Sequence, residues 1–216
     1  MEEQFIEVPL QGLSSEVSVN IVKALIKYIL FDKGQIPCTF DELKIMVEED
    51  EAENEGLRGG PLKKAIQFYR SVAQFFNELT PERFNETCID SVEMMLGPSM
   101  VRPIEKFTIQ ISYDAATTSS TSSEGYEKRC IRAMISNMSA SQSRRPTGVF
   151  FFLNATERVV ATCFQSLALL QVRVSKQHRY VHTRIQVGSL ESTMAVDRIV
   201  HRYKFNPNKN IQGFVL

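Results

Sequence analysis

Apolar residues recur at Val17, Ile21, Leu25, Tyr28 and Ile29, the three-and-four spacing of one helical stripe, and Gly34 follows as a stop signal. Pro37 disfavours helix at the residue before it. Thr39 and Glu42 then stand three apart ahead of Leu43, Met46 and Val47, the spacing of a capping box, so a second helix begins there. The longest stripe runs through Leu62, Ala65, Ile66, Tyr69, Val72, Ala73, Phe76 and Leu79, with Phe68 and Phe75 beside it. It predicts a helix over 62–79 that is central and buried on more than one side, ended by Thr80-Pro81-Glu82. A further helix is expected over 124–138.

Strands are expected at 88–96, at 107–113 (alternating Phe107, Ile109, Ile111, Tyr113), and near 149–153, 159–164, 167–174 and 180–187. Helices come first and strands dominate the end, which predicts an α+β fold with a largely antiparallel sheet. The acidic run ending in three glycines and Pro61 reads as a mobile loop over 48–61, and the Ser/Thr/Ala stretch 115–123 as a flexible loop open to phosphorylation. With no repeat or linker in view, 1–14 is a short N-terminal segment and 15–216 a single domain.

The length of 216 residues and apolar fraction of 43% suit a globular chain with a real core. The net charge is zero, but residues 1–60 carry 5 Lys/Arg against 13 Asp/Glu, and residues 106–216 carry 15 against 6. Such polarity is the pattern of two solvated faces and can also steer a charged partner. Neither a bilayer-length apolar run nor a basic leader is visible, which points to a soluble intracellular protein without a membrane partner. Cys38, Cys88, Cys130 and Cys163 are widely spaced, as expected of unpaired thiols in a reducing compartment.

Phosphate-loop, dinucleotide, nucleophile-elbow and His-Glu-x-x-His signatures are all missing, so no catalytic residue, metal ligand or cofactor is expected. His178, His182 and Cys163 are too loosely spaced for a zinc site, and Cys163 sits in an apolar strand context that favours inert packing. The basic second half, including Arg173, Lys176, Arg179, Arg184, Arg198 and Arg202, raises a nucleic-acid-binding module as the alternative. The pI of about 6.8 argues against a dedicated one.

On the 124–138 helix, Tyr126, Cys130, Ala133, Met134 and Asn137 form a core stripe, while Ile131, Ile135 and Met138 lie round from it beside Lys128 and Arg132. An apolar centre with a basic rim fits either a wide core-facing surface or a protein-binding helix.

The stretch 28–44, Tyr-Ile-Leu-Phe-Asp-Lys-Gly-Gln-Ile-Pro-Cys-Thr-Phe-Asp-Glu-Leu-Lys, resembles the helix-connector-helix segment of the comet family, HORMA-domain adaptors that bind the spindle-checkpoint protein Mad-two. The closing segment 203–214, an aromatic stretch ending in Gly-Phe, is similar to the family's end. Between them the helix ending Gln-Phe-Phe, the strand ending Met95-Leu96-Gly97, and Lys128-Arg-Cys-Ile-Arg-Ala-Met-Ile135 keep the family's order, over about nine-tenths of the chain. The resemblance implies a HORMA domain: a sheet packed against three helices, with a C-terminal safety-belt-like region.

It also implies an adaptor without enzymatic activity that binds closed Mad-two, blocks its dimerisation and presents it to the pachytene-checkpoint AAA+ ATPase, silencing the mitotic checkpoint. Other HORMA proteins would be further candidate clients, and the expected location is nucleus and cytoplasm, with spindle or kinetochore association in mitosis. Lys128, Ile131, Arg132, Ile135, Met138 and Asp32 would meet the partner; isoleucine at 131 replaces the family's aromatic contact. Phe205, Ile211, Phe214 and Leu216 would bind the domain's own peptide site. The family's long N-terminal extension is nearly absent ahead of the first helix near Ser15, a departure that puts ATPase contacts through that extension in doubt.

Overall fold

A computed structural model describes residues 2–52, 61–114, 117, 123–138, 145–159, 163–167, 180–188, 200–207 and 210–214. Strand β1 (Glu2–Val8) leads into α1 (Ser15–Asp32), α2 (Phe40–Ala52), α3 (Pro61–Glu78) and α4 (Pro81–Thr87). Strands β2 (Ile89–Gly97) and β3 (Glu105–Ile111) precede α5 (Ser123–Asn137). The chain ends in β4 (Gly148–Ala155), β5 (Phe164–Leu167), β6 (Val181–Val187), β7 (His201–Phe205) and β8 (Ile211–Gln212). The class is α+β, with five helices and eight strands among the described residues.

The sheet runs β1-β6-β3-β2-β4-β7-β5, with β8 beside β4 as well. It is mixed: β6 lies parallel to both β1 and β3, and the other pairs are antiparallel. Strand β1 lies inside the stretch that the sequence reading set aside as 1–14. Its inward positions Ile6 and Val8 are buried, but three glutamates around them weaken the apolar signal.

Helix α1, not α3, is the central helix, with apolar burial on most sides from Val17 to Leu30. Helix α3 buries Phe68, Val72 and Phe75 but leaves Lys63, Lys64, Arg70 and Asn77 in water, so its stripe faces one way only. Its Phe75 ring stacks on Phe151 of β4 at 4.3 Å and meets Phe205 of β7 at 5.2 Å. Offset aromatic pairs of this kind add to the area they bury, and they fasten the helix layer to the sheet.

The junctions follow local chemistry. Thr39 and Glu42 form the expected capping box, the Thr39 N–H donating to Glu42 Oε2 at 2.8 Å and the Glu42 N–H to Thr39 Oγ1 at 3.3 Å. From there α2 runs to Ala52, so 48–52 is helical rather than loop; solvated charges and the Lys44–Glu48 pair at 3.7 Å suit an exposed helical turn. The rest of that predicted loop, 53–60, lies outside the described residues. Thr80 and Pro81, read as an end signal, also start α4: the Thr80 hydroxyl accepts the Arg83 N–H at 3.2 Å and Pro81 takes the first turn. The strand expected at 159–164 begins only at Phe164, and most of 167–174 lies outside the described residues.

Candidate partner-binding surface

Helix α5 has two unlike sides. Cys130 and Met134 are fully buried, and Tyr126 and Ala133 pack against the same core. Burial pushes the Cys130 thiol up to about 12, so it is a neutral packing group. Lys128, Ile131, Arg132 and Ile135, spaced three and four apart, share the other side. Lys128 and Arg132 are exposed, Ile131 is half-buried, and Ile135 is 61% exposed. Met138 instead packs against the core. Asn137, placed on the core stripe by its spacing, is exposed; its side chain donates to the Ala133 carbonyl, and its own carbonyl accepts from Gln4 of β1.

Asp32 stands at the end of α1 and is committed to its own chain. Its carboxylate lies 3.4 Å from Lys33 Nζ, a buried ammonium that also faces Glu105 at 3.6 Å and the Phe107 ring at 5.6 Å. Asp32 does not line the groove to which Ile131 of α5 contributes. Burial, and then the Asp32 charge, raises the pKa of the Tyr28 hydroxyl, and Tyr28 lines the same groove as Ile131. That groove, about 570 Å3, is formed by α1, α2, α3 and α5. Nothing in the sequence marks it, because its walls come from four separated helices.

The C-terminal segment is fastened to the connector after α1. Gly34 at φ +62 closes a Schellman motif, with the Gly34 N–H donating to Phe31 O and the Gln35 N–H to Leu30 O, both at 2.9 Å. This aims Gln35 into the domain, where its side chain donates to the carbonyls of Lys33 and Arg145 and accepts from the Thr147 N–H at 2.8 Å. Phe214 then donates its N–H to the Gln35 carbonyl at 3.0 Å and sets its ring against Phe68 at 5.6 Å. Phe205, Ile211 and Phe214 are all buried, and β7 and β8 pair along the same edge of β4. Leu216 lies outside the described residues. Gln35 escaped the sequence reading because a lone glutamine in a connector carries no pattern.

Several cations of the basic second half are held within the fold. Arg184 is bound to Glu3 at 2.8 Å, and Arg202 pairs with buried Glu93 while lying over the Phe152 ring at 4.4 Å. Lys106 meets the same Glu93 at 2.8 Å. Arg173, Lys176, Arg179, Arg198 and His178 lie outside the described residues. His182 is buried, shares a hydrogen bond with Thr108 at 2.9 Å, and has its pKa lowered chiefly by burial. The Cys163 thiol is pushed up to about 11 by burial and by Glu78, which keeps it protonated at neutral pH. Among the described residues no three potential ligands cluster as a metal site, and no helix is long and apolar enough to cross a membrane.

No protein-family model matches the chain, and a search of curated proteins finds no match.

Proposed function

We propose that the chain is a single HORMA domain of the comet type, an adaptor that docks on closed Mad-two through α5 and hands it to the pachytene-checkpoint AAA+ ATPase. The observation that carries the proposal is the outward side of α5, where Ile135 is 61% exposed beside Ile131 while Cys130 and Met134 are fully buried. An exposed branched apolar side chain between two cations is the composition of an interface centre with a charged rim. The ordered segments that resemble the family, and the terminal strands along β4, support the same reading.

The chain acts by differential binding. A ligand with equal affinity for the open and closed forms shifts nothing, so the adaptor must hold the closed form more tightly, and the ATPase supplies the energy of conversion. Occupying the dimerisation face of closed Mad-two would block checkpoint assembly. Asp32 belongs at most to the margin of this contact, since its carboxylate already serves Lys33.

Pull-down with closed-locked and open-locked Mad-two tests the proposal. Capture of the closed form alone, lost in Ile135→Asp at unchanged melting temperature, is the expected result. Equal capture of both forms, or full capture by the variant, would overturn it.

A further inference from the structure

The groove formed by α1, α2, α3 and α5 measures about 570 Å3, the size of sites that take a few side chains rather than a folded surface. Five aromatic residues, Tyr28, Phe31, Phe40, Tyr69 and Phe76, line it beside Ile131, and polar and charged side chains complete its walls. Phe31 stays 46% exposed although it belongs to the central helix. An aromatic ring left in water over a concave apolar surface is an unfilled half of a contact.

The charges around the groove are unequal. Lys27 is held by Asp41 at 2.6 Å and lies 5.6 Å over the Phe40 ring, and Lys44 is paired with Glu48. Lys23 lines the same space, and among the described residues no carboxylate lies within ion-pair distance of it. Burial and the neighbouring Lys27 both push its pKa down, so the ammonium is partly desolvated without compensation. A carboxylate brought in from outside would supply what the fold does not. Glu127 on α5 and Asp41 on α2 border the groove as well, which disfavours a polyanion and restricts that carboxylate to the Lys23 position.

We infer that this groove docks a linear amphipathic segment of a partner protein, with two or three bulky apolar side chains seated among Phe31, Tyr28, Phe40 and Ile131 and a single carboxylate on Lys23. The mode is that of a short helix in a groove, with anchors at three-and-four spacing. The groove shares Ile131 with the outward side of α5 but does not include Ile135, and the argument for it uses no contact between α5 and Mad-two.

The test uses the full chain and fluorescent 14-residue helical peptides carrying Leu and Phe anchors at positions 4, 7, 8 and 11. One peptide has Glu flanking the first anchor, a second has Lys there, and a third replaces the anchors with Ala. The Glu peptide is expected to bind, with Lys23→Glu weakening it about tenfold or more while the Lys peptide gains by a similar factor. Ala73→Phe, which fills the groove from α3, should abolish binding, and Ile135→Asp should leave it unchanged. If Ala73→Phe proves unstable, the Lys23 charge exchange alone decides. No binding of the Glu peptide at about 1 mM, insensitivity to Lys23→Glu, equal binding of the Ala peptide, or displacement by a single-stranded oligonucleotide would each overturn the inference.

Discussion

Gln35 holds Gly213 at a distance that leaves no room for a side chain: a Cβ on Gly213 would stand 2.5 Å from Gln35 Oε1 and 3.0 Å from its carbonyl oxygen. Gln35 cannot swing aside without releasing the Lys33, Arg145 and Thr147 hydrogen bonds it makes. Gly213→Ala should therefore destabilise the domain by about 1–3 kcal/mol, in the range of overpacking a well-filled site. Chemical denaturation measures it, and a Gln35→Ala, Gly213→Ala double variant should lose less than the sum of the two single changes. Simple additivity would separate the two residues.

Changes on the two sides of α5 should have opposite signatures. Met134→Asp places a carboxylate at a fully buried position and is expected to unfold the domain or lower its stability by several kcal/mol. Ile135→Asp, one residue on, faces water and should leave the melting temperature within a degree or two, since surface changes usually fall within about 0.5 kcal/mol. Thermal melts of both variants check the division without any partner present.

His182 gives the fold a dependence on acid. Its pKa in the folded state lies below the ordinary value, mainly through burial, with Lys106 and Arg184 adding to the effect and Glu3 and Glu93 opposing it. The unfolded chain then binds more protons, so the contribution is whole above about pH 6.5 and is lost as pH falls through that value toward the folded pKa. Unfolding free energies between pH 7.5 and 5 should decline, and His182→Gln should flatten that part of the curve. An unchanged slope in the variant would assign the decline to other groups.

The start of α2 offers a separable test. Thr39→Ala removes the hydroxyl that accepts the Glu42 N–H and donates to its carboxylate, and should cost about 0.5–2 kcal/mol. The Thr39 backbone N–H first, and its hydroxyl second, hold the Glu42 carboxyl below its usual pKa, so the variant should remove the hydroxyl's part and raise that pKa while the backbone part remains, which NMR titration reads directly. Absence of any shift would show that the hydroxyl's bond to the carboxylate does not form in solution.

What the sequence disclosed was local. The α2 capping box, the two-sided α5 and the apolar C-terminal residues each lie within a short window, where spacing alone decides which groups can meet. What it concealed depends on partners far away in the chain. The rank of α1 over α3 as central helix, the parallel pairing of β6, the Gln35 clasp and the four-helix groove all join residues separated by many tens of positions. Periodicity reports which face of an element is apolar. It says nothing of how many neighbours will cover it.

Strand β1 carries a consequence for the order of assembly. Among the described residues its backbone ladder forms with β6 alone, joining Glu2 to Val181 and Val8 to Val187, so nearly the whole described chain intervenes between the two halves of one ladder. During synthesis at roughly 5–20 residues per second, β1 waits on the order of ten seconds or more before its neighbour has left the ribosome. For that interval Ile6 and Val8 have no sheet to enter, and Phe5, 56% exposed even in the finished fold, stands in an open strand edge. Glu2 and Glu3 ahead of them and Glu7 between Ile6 and Val8 put like charges on that waiting strand, which disfavours edge-to-edge pairing between copies.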